Sequence, residues 1–431
     1  MQPPGNPGGC FASGRYRCPV NTGDHLPPIP AMTREQRTTL YMVMGVTMAL
    51  DAGNGVVFGL IAEIQDRHGI TTPQLGLISG ALFAASLVGL LGFAHLADKG
   101  HARTMMLSGL AIGAAGTTWF GVATHLWELV AARTLSGISI SLFISAGRSI
   151  VTRIAPRRAG ENLGKLVGAE VAGFVLGPTI GVGLARVGGL SLPFYVLGGV
   201  AAVALVFVAF RFPTLDPLPH RPKLSVWRTT GVDLLGNRRV LAAALLALAV
   251  YLPVGAYDSM WSRYLTDLGA STTFVGTSLT LYGIPMVLLA GVGGRLVDRW
   301  GPRVSGQRAV SAMLPVIVAY GVLRSYWLVA LTAIVEAIVG SLANPSAQAA
   351  MVKACPPERI AAGQGLAGGI GLCGAGLLAS VAPAVYDGFG PGVLFIGVAG
   401  LVGATAATAL TLDTAAQRAS KPSLTPATQR G

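Results

Sequence analysis

The feature that most constrains this chain is a series of apolar stretches, each about 20 residues long, that recur over most of its 431 residues. A helix of about 20 apolar residues crosses roughly 30 Å of hydrocarbon. Only 11% of the residues are charged, whereas a soluble protein carries about 25%. Membrane β-barrels show alternation over about ten residues, which we do not find. We therefore predict an all-α membrane protein.

The apolar stretches predict twelve membrane-spanning helices. Their approximate spans are 38–62, 73–97, 104–124, 127–150, 162–185, 190–210, 240–263, 274–297, 305–323, 327–350, 361–385 and 391–411. The longest polar interruption runs from about Phe212 to Arg239, contains four prolines, and separates six spans from six. The predicted organisation is a disordered N-terminal tail over 1–36, a six-helix half over 37–211, a linker over 212–239, a second six-helix half over 240–413 and a C-terminal tail over 414–431.

The basic residues predict the orientation of the chain in the membrane. With both termini in the cytoplasm, 26 of the 31 Lys and Arg residues fall on the cytoplasmic side. This is the asymmetry of the positive-inside rule. It explains the net charge of +13 without nucleic acid, which we do not expect as a partner. We predict a multi-pass protein of the cell (inner or plasma) membrane with cytoplasmic tails and linker.

Other features exclude several classes of protein. The sequence contains no HExxH, no P-loop and no Cys/His spacing typical of a metal site, so we predict neither an enzyme nor a cofactor. The four cysteines are scattered and predict no disulfide framework. No cleavable signal peptide precedes the first span. Met32, which shortly precedes the first span, is an alternative start to Met1.

A charged motif occurs twice, 200 residues apart. The sequence GGRLVDRWGPR occupies 293–303, and LADKGHAR, which ends at Arg103, matches its second part in register. The second copy resembles the signature loop of the major facilitator superfamily, G-x-x-x-D-R-x-G-x-R. Its matching residues are Gly294, Asp298, Arg299, Gly301 and Arg303. The first copy keeps Asp98, Lys99 and Arg103, but has Ala94 and His101 in place of the two glycines.

This resemblance has several implications for the fold and its action. It implies two pseudo-symmetric six-helix halves with a substrate site between them near the midplane. It also implies transport by alternating access, and a protein that acts as a monomer. The charged loops would then close the cytoplasmic side when their ion pairs form. The alternative is that these residues only anchor tight turns and fix topology.

Two further motifs resemble patterns of the same superfamily. G-x-x-x-G-P-x-x-G, typical of its proton-coupled drug exporters, matches Gly173, Gly177, Pro178 and Gly181 in the fifth span. The alternative is ordinary packing through small residues, in a chain that has 59 glycines. In the fourth span, Arg133 and Gly137 match R-x-x-Q-G, with Ser136 in place of the glutamine.

Ionisable residues inside the spans are the candidates for coupling and binding, because each costs at least about 2.5–3.5 kcal/mol to place in the membrane. Asp51 lies near the middle of the first span and Arg133 in the fourth. The superfamily places these two helices along the central cavity, so we expect the side chains to pair. Our hypothesis is that Asp51 carries the coupling proton and Arg133 tunes it; the alternative is a static ion pair. Asn54 and Glu336 are assigned to the same cavity.

The other membrane charges have more structural interpretations. Arg148 and Glu170 are expected to form a structural salt bridge between the fourth and fifth spans, with proton transfer by Glu170 as the alternative. Asp258 lies among aromatic residues that predict an interfacial belt or an outer vestibule.

Together these features predict a secondary transporter driven by the proton gradient. The antiporter-like motif favours export of small lipophilic or cationic compounds, including drugs, in exchange for protons. The alternatives are a proton-coupled importer or a metabolite or sugar carrier of the same fold. A non-transporting sensor or scaffold would leave the membrane charges unexplained. The expected partners are a small-molecule substrate, protons and the lipid bilayer.

Overall fold

The computed structural model describes residues 31–211, 230–356 and 359–419. Most of the predicted tails and of the predicted linker lies outside these ranges, but residues 34–36 and 414–419, which were assigned to the tails, are helical. Within the described ranges all the regular secondary structure is helical, with no β-strand. Helix α1 begins after Thr33, whose side chain accepts a hydrogen bond from the Gln36 backbone in a capping box. It ends at His68, and Gly69, with φ 64°, caps its C-terminus. The ends of the first apolar stretch are therefore set by capping residues.

The first half contains six helices. They are α1 (Arg34–His68), α2 (Thr72–Leu96), α3 (Ala102–Val122), α4 (Leu126–Ile154), α5 (Ala159–Gly188) and α6 (Leu192–Arg211). The second half begins with α7 (Arg238–Asp267), α8 (Thr272–Trp300), α9 (Pro302–Val322) and α10 (Tyr326–Ala354). It ends with one helical segment, Ile360–Ala419, which is interrupted at Gly390. We number its two arms α11 (360–389) and α12 (391–419).

The interruption at Gly390 turns a single long segment into two membrane passages. In the described residues, ten helical segments are long and apolar enough to span a membrane, and the last is 55 residues long. About 20 residues suffice for one passage. Gly390 has φ 79°, a backbone conformation that glycine adopts readily. Pro391 then begins α12, a position where proline is favoured because its missing N–H is not needed.

Helix α9 begins with a polar stretch. It is not among the ten segments, because Arg303, Gln307 and Arg308 lie in its first two turns. It packs against α10 and the α11–α12 segment within the second half, as α3 packs against α4 and α6 in the first. The predicted all-α, twelve-helix fold is confirmed.

The two halves meet through pairs of helices that the repeat relates to one another. Helix α2 packs against α11, and the equivalent α8 packs against α5. A side chain at Gly76 of α2 would overlap the carbonyl oxygen of Ser380, and one at Gly276 of α8 would lie 3.0 Å from the Pro178 carbonyl oxygen. The two glycines are 200 residues apart, the same interval that separates the charged motifs. The repeat thus extends from the loops into the packing between the halves.

In the described residues, the hydrogen bonds and ion pairs between the halves lie in the half of the bundle far from the chain termini. We call the two ends of the bundle the termini end and the far end. At the far end, the Ser262 hydroxyl donates to the Gly59 carbonyl over 3.3 Å, and the Arg263 guanidinium lies 2.5 Å from the Asp66 carboxylate. At the termini end Arg148, from α4, is half exposed. In this structure the bundle is closed at the far end.

Candidate functional site

Helices α1 and α5 approach each other closely at the antiporter-like motif. A Cβ atom at Gly173 or at Gly177 would overlap a backbone carbonyl oxygen of α1, that of Met48 or Ala52 respectively. At Gly181 it would lie 2.8 Å from the Val56 side chain. Three glycines of the motif therefore let the backbones of α5 and α1 come into contact.

Pro178 contributes to the same contact. A proline has no backbone N–H, so it leaves the carbonyl four residues earlier without its helical donor. That residue is Phe174, and its carbonyl oxygen faces Gly55 of α1, where a side chain would overlap it. On the opposite side of α5, the Thr179 and Thr280 hydroxyls are 2.7 Å apart, and Thr280 also donates to the Val175 carbonyl. The motif region thus joins α5 to α1 and, across the halves, to α8.

Arg133 forms a buried ion pair with Asp258. The Arg133 Nη2 atom lies 3.8 Å from Asp258 Oδ2, and both side chains are almost fully buried. The pair connects α4 of the first half to α7 of the second. The two residues lie seven and nine positions from the far ends of their helices, which is roughly 10–14 Å at 1.5 Å per residue. They are therefore at similar depth and belong to the closed end of the bundle.

The expected pairing of Arg133 with Asp51 is wrong. The expectation rested on both helices lining one cavity, but Arg133 lies closer to the far end than Asp51, which is in the middle of α1. Its guanidinium therefore meets the carboxylate of α7 at its own depth. The similar depth of Arg133 and Asp258 in their spans was the sequence signal that could have indicated the pair.

Asp51 instead shares its surroundings with Glu170 and Arg148. Both charges interact electrostatically with the Asp51 carboxyl. The Arg148 guanidinium lies 3.4 Å from Glu170, which confirms the predicted salt bridge between α4 and α5. Two carboxyl groups thus lie within electrostatic range of one guanidinium, which is in contact with Glu170. This group of three side chains is electrically neutral when one of the carboxyl groups holds a proton. In the described part of the chain, no group of three or more His, Cys, Asp or Glu residues could hold a metal ion.

Glu336 has only neutral hydrogen-bond partners. It is 2% exposed, and its two carboxyl oxygens accept hydrogen bonds from the Tyr257 hydroxyl, at 2.7 Å, and the Tyr320 hydroxyl, at 2.6 Å. No Lys, Arg or His nitrogen forms an ion pair with it among the described residues. These tyrosine partners come from α7 and α9, and we did not identify them from the sequence.

The aromatic residues around Asp258 do not form an interfacial belt. The Tyr257, Trp261 and Tyr320 rings contact one another edge to face, with centroids 5.2–5.9 Å apart. Trp261 and Tyr264 are 5% and 1% exposed, and Asp258 is 5% exposed. The belt prediction is wrong because this face of α7 turns towards the other helices and not towards lipid. We call Tyr257, Trp261, Tyr320 and Glu336 the aromatic–carboxyl cluster.

The other candidates have local roles. Asn54 is buried, and its amide donates to the Leu50 carbonyl of the same helix over 3.2 Å. The Ser136 hydroxyl likewise donates to Ala132 of its own helix. Gly137 lets α4 approach α2, because a side chain there would overlap the Leu82 carbonyl oxygen. The partial R-x-x-Q-G motif therefore combines an ion-pairing arginine with a packing glycine.

In each of the two charged loops, an arginine binds the end of a helix further along the chain. Arg103 donates to the Ala209 carbonyl at the end of α6 over 2.6 Å. Arg303, its repeat partner, donates to Thr414 near the end of α12 over 2.8 Å and lies 3.2 Å from the Asp413 carboxylate. Each arginine thus ties the start of one helix to the end of another at the termini end.

The turn residues of the two loops are displaced by one position. In the second loop Gly301 has φ 80°, and in the first Gly100 has φ 92°. The first copy therefore keeps a turn glycine although His101 occupies the expected position. A Cβ atom added at Gly294 would have no other atom within 4 Å, so close packing does not require a glycine at this position. Lys99 and Arg299 are exposed, and the Asp98 side chain lies outside the described atoms.

Asp298 gives a test of the gating interpretation. It is exposed and forms no ion pair within the described residues of this far-end-closed structure. If its ion pairs form in the opposite state, Asp298→Asn should change the stability of the present state by less than about 0.5 kcal/mol but make the opposite state rarer. A cysteine at position 262, in a chain otherwise without cysteine, should then react several-fold more slowly with a membrane-impermeant thiol reagent. An unchanged rate, equal to that of Glu161→Gln, would show that the loop only anchors the turn.

Comparison with known proteins agrees with this architecture. The model of the Major Facilitator Superfamily matches residues 43–262 and again 243–429. The multidrug resistance protein MdtG of Proteus mirabilis is 24% identical over 68% of this chain and 75% of its own length.

Two solved structures share the fold. One is a bacterial homologue of the human lysosomal transporter Spinster, inward-facing and unoccupied, with a TM-score of 0.67, 17% identity, and 90% and 96% of the two chains covered. The other is the nucleoside transporter NupG, with a TM-score of 0.68, 13% identity, and 87% and 99% covered. With a family model that matches almost the whole chain in two consecutive parts, and twelve helices in two repeated halves, this protein belongs to the Major Facilitator Superfamily and is a membrane transporter.

Proposed function

We propose that this transporter exports small lipophilic cations across the cell membrane in exchange for protons. The observation that carries the proposal is the aromatic–carboxyl cluster, in which Glu336 is buried without a basic partner in the described structure. A cation placed near such a carboxylate gains electrostatic attraction, and aromatic faces add cation–π attraction. The relatives named multidrug resistance protein MdtG support a substrate of this kind.

Proton coupling is proposed at Asp51 and Glu170. Arg148 pairs with Glu170 and also attracts Asp51 electrostatically, so these three side chains are together electrically neutral when they hold one proton. Arg148 is half exposed, so water can deliver or remove that proton from the termini end. Asp51 is the proposed carrier because it lies in α1, which packs along the whole antiporter-like motif of α5.

The conformational change is proposed to act through Arg133 and Asp258. Their ion pair joins the halves at the closed far end. A proton on Asp258 would weaken this ion pair and allow the far end to open. Release of substrate at the far end would then depend on protons from that side of the membrane. This assigns to Arg133 a role in gating and not the tuning of Asp51. With cytoplasmic termini, as the basic residues predict, the present structure is open to the cytoplasm.

Accumulation of ethidium in a bacterial host without its own efflux pumps tests the proposal. We expect cells with the wild-type protein to accumulate less ethidium than cells without it, and a protonophore to abolish the difference. Glu336→Gln should abolish at least about 90% of the export, because loss of a buried charge that attracts the cation is worth at least about 1.4 kcal/mol, or tenfold. Asp51→Asn should remove the dependence on the proton gradient.

The matched control is Glu161→Gln, which removes an exposed carboxylate that pairs with Lys165 at the surface. It should export as the wild type does at equal expression. Full export by Glu336→Gln would contradict cation recognition by the cluster. If the wild-type protein has no effect on ethidium but takes up a neutral metabolite with protons, the proposed function is wrong and the chain is an importer.

A further inference from the structure

A cavity of about 520 Å³ lies outside the proposed transport pathway, between α7, α9, α10 and α12 of the second half. Helix α9 packs on helices of its own half, and all the residues that line the cavity belong to the second half. Its volume falls within the range of about 300–1,000 Å³ that is common for small-molecule sites. The proposed function does not use it.

The mouth of the cavity is basic. Arg239 is the second residue of α7, Arg303 the second of α9, and Lys353 the last but one of α10, and all three line the cavity. Asp413 is the acidic residue of the lining, and its carboxylate lies 3.2 Å from Arg303. The lining thus contains three cationic side chains and one carboxylate where the helices end. This is the level at which lipid headgroups meet the protein.

The wall beyond the mouth is mainly apolar, with Gln307 and Ser311 as its polar residues. It includes Leu246, Val310, Leu314 and Leu410. Leu246 lies seven residues after Arg239 in α7, which places it roughly 10 Å deeper at 1.5 Å per residue. The lining therefore changes from cationic to apolar along the direction of the membrane normal. A soluble anion would not use the apolar wall, and a lipophilic cation would be repelled by the mouth.

We propose that this cavity binds an anionic phospholipid. Its phosphate would lie between Arg239 and Lys353, and the first part of an acyl chain would follow Leu246 and Leu314. Basic pockets between membrane helices at the cytoplasmic side suit such headgroups. The bound lipid would link α7, α9, α10 and α12 at the termini end, and so stabilise the second half as a unit.

Thermal unfolding of the purified full-length protein in detergent tests this inference. Dioleoyl phosphatidylglycerol should raise the unfolding temperature saturably, whereas phosphatidylcholine with the same acyl chains should not. Arg239→Gln combined with Lys353→Gln should raise the dissociation constant of phosphatidylglycerol about 25-fold, since each basic residue near an anionic headgroup contributes about fivefold to the affinity. Arg238→Gln is the matched control, because Arg238 is an exposed neighbour that does not line the cavity.

Two further measurements distinguish a bound lipid from a bound soluble anion. Inorganic phosphate should not reproduce the effect; equal stabilisation by phosphate would identify a soluble-anion site and overturn the proposal. Gly403→Leu should fill the apolar part of the cavity from α12, since the added Cβ would lie 3.5 Å from Leu314 without overlap. It should lower phosphatidylglycerol affinity while all basic residues remain. Unchanged affinity in this variant, or in the double variant, would contradict the proposed site.

Discussion

Replacement of Arg133 by methionine is expected to destabilise the far-end-closed state by about 3–5 kcal/mol. The reason is that Asp258 would keep a buried charge without its counter-ion, and the removal of one partner of a buried pair typically costs this much. The pair also joins the two halves, so its loss should favour opening of the far end. A cysteine at position 262, next to the Gly59 carbonyl in the closed interface, should therefore react faster with an impermeant thiol reagent.

The double variant Arg133→Met with Asp258→Asn is the control. It removes both charges, and replacement of a whole buried pair by neutral groups is often close to neutral in stability. We expect the unfolding temperature of the double variant to return near that of the wild type. The cysteine at position 262 should remain more reactive than in the wild type, because the ion pair that joins the two halves is missing. If the losses of stability in the single variants Arg133→Met and Asp258→Asn add up to the loss in the double variant, Arg133 and Asp258 do not interact energetically.

Gly177→Ala is expected to destabilise the protein by about 1–3 kcal/mol, the usual cost of forcing atoms into a packed interior. The added methyl would overlap the Ala52 carbonyl oxygen of α1, and a backbone atom in a membrane helix cannot move aside alone. Helices α1 and α5 would have to separate. Proton-coupled export should fall with stability if the close contact is needed for the conformational change.

Gly183→Ala on the same helix is the matched control. It introduces the same methyl group, but no atom lies within 4 Å of its position. Alanine is preferred over glycine inside a helix by about 0.5–1 kcal/mol, so this variant should be as stable as the wild type or slightly more. Thermal unfolding of both purified variants measures the difference. Equal destabilisation would mean that loss of helix flexibility, and not the contact with α1, explains the effect.

The sequence was sufficient for the helices and for their order. Apolar stretches of about 20 residues predict spans because a helix in lipid must satisfy its own backbone hydrogen bonds. The repeat of Asp98 and Asp298, 200 residues apart, indicated two related halves. The sequence also matched Arg103 with Arg303, and the structure shows that they bind the ends of α6 and α12. The Arg148–Glu170 pair was also predictable, because the two residues lie in the termini-side halves of consecutive helices.

Which side of each helix faces protein and which faces lipid was decided only by the tertiary structure. In a soluble protein the buried face of a helix is apolar and the exposed face polar, but in a membrane both faces are apolar and the sequence pattern does not distinguish them. The sequence therefore did not show that Asp258 and Trp261 turn inward from α7, or that Tyr257 and Tyr320 reach Glu336. Arg133 and Asp258 are 125 positions apart in the chain, and they pair because the packing of the two halves brings α4 and α7 together at the same depth.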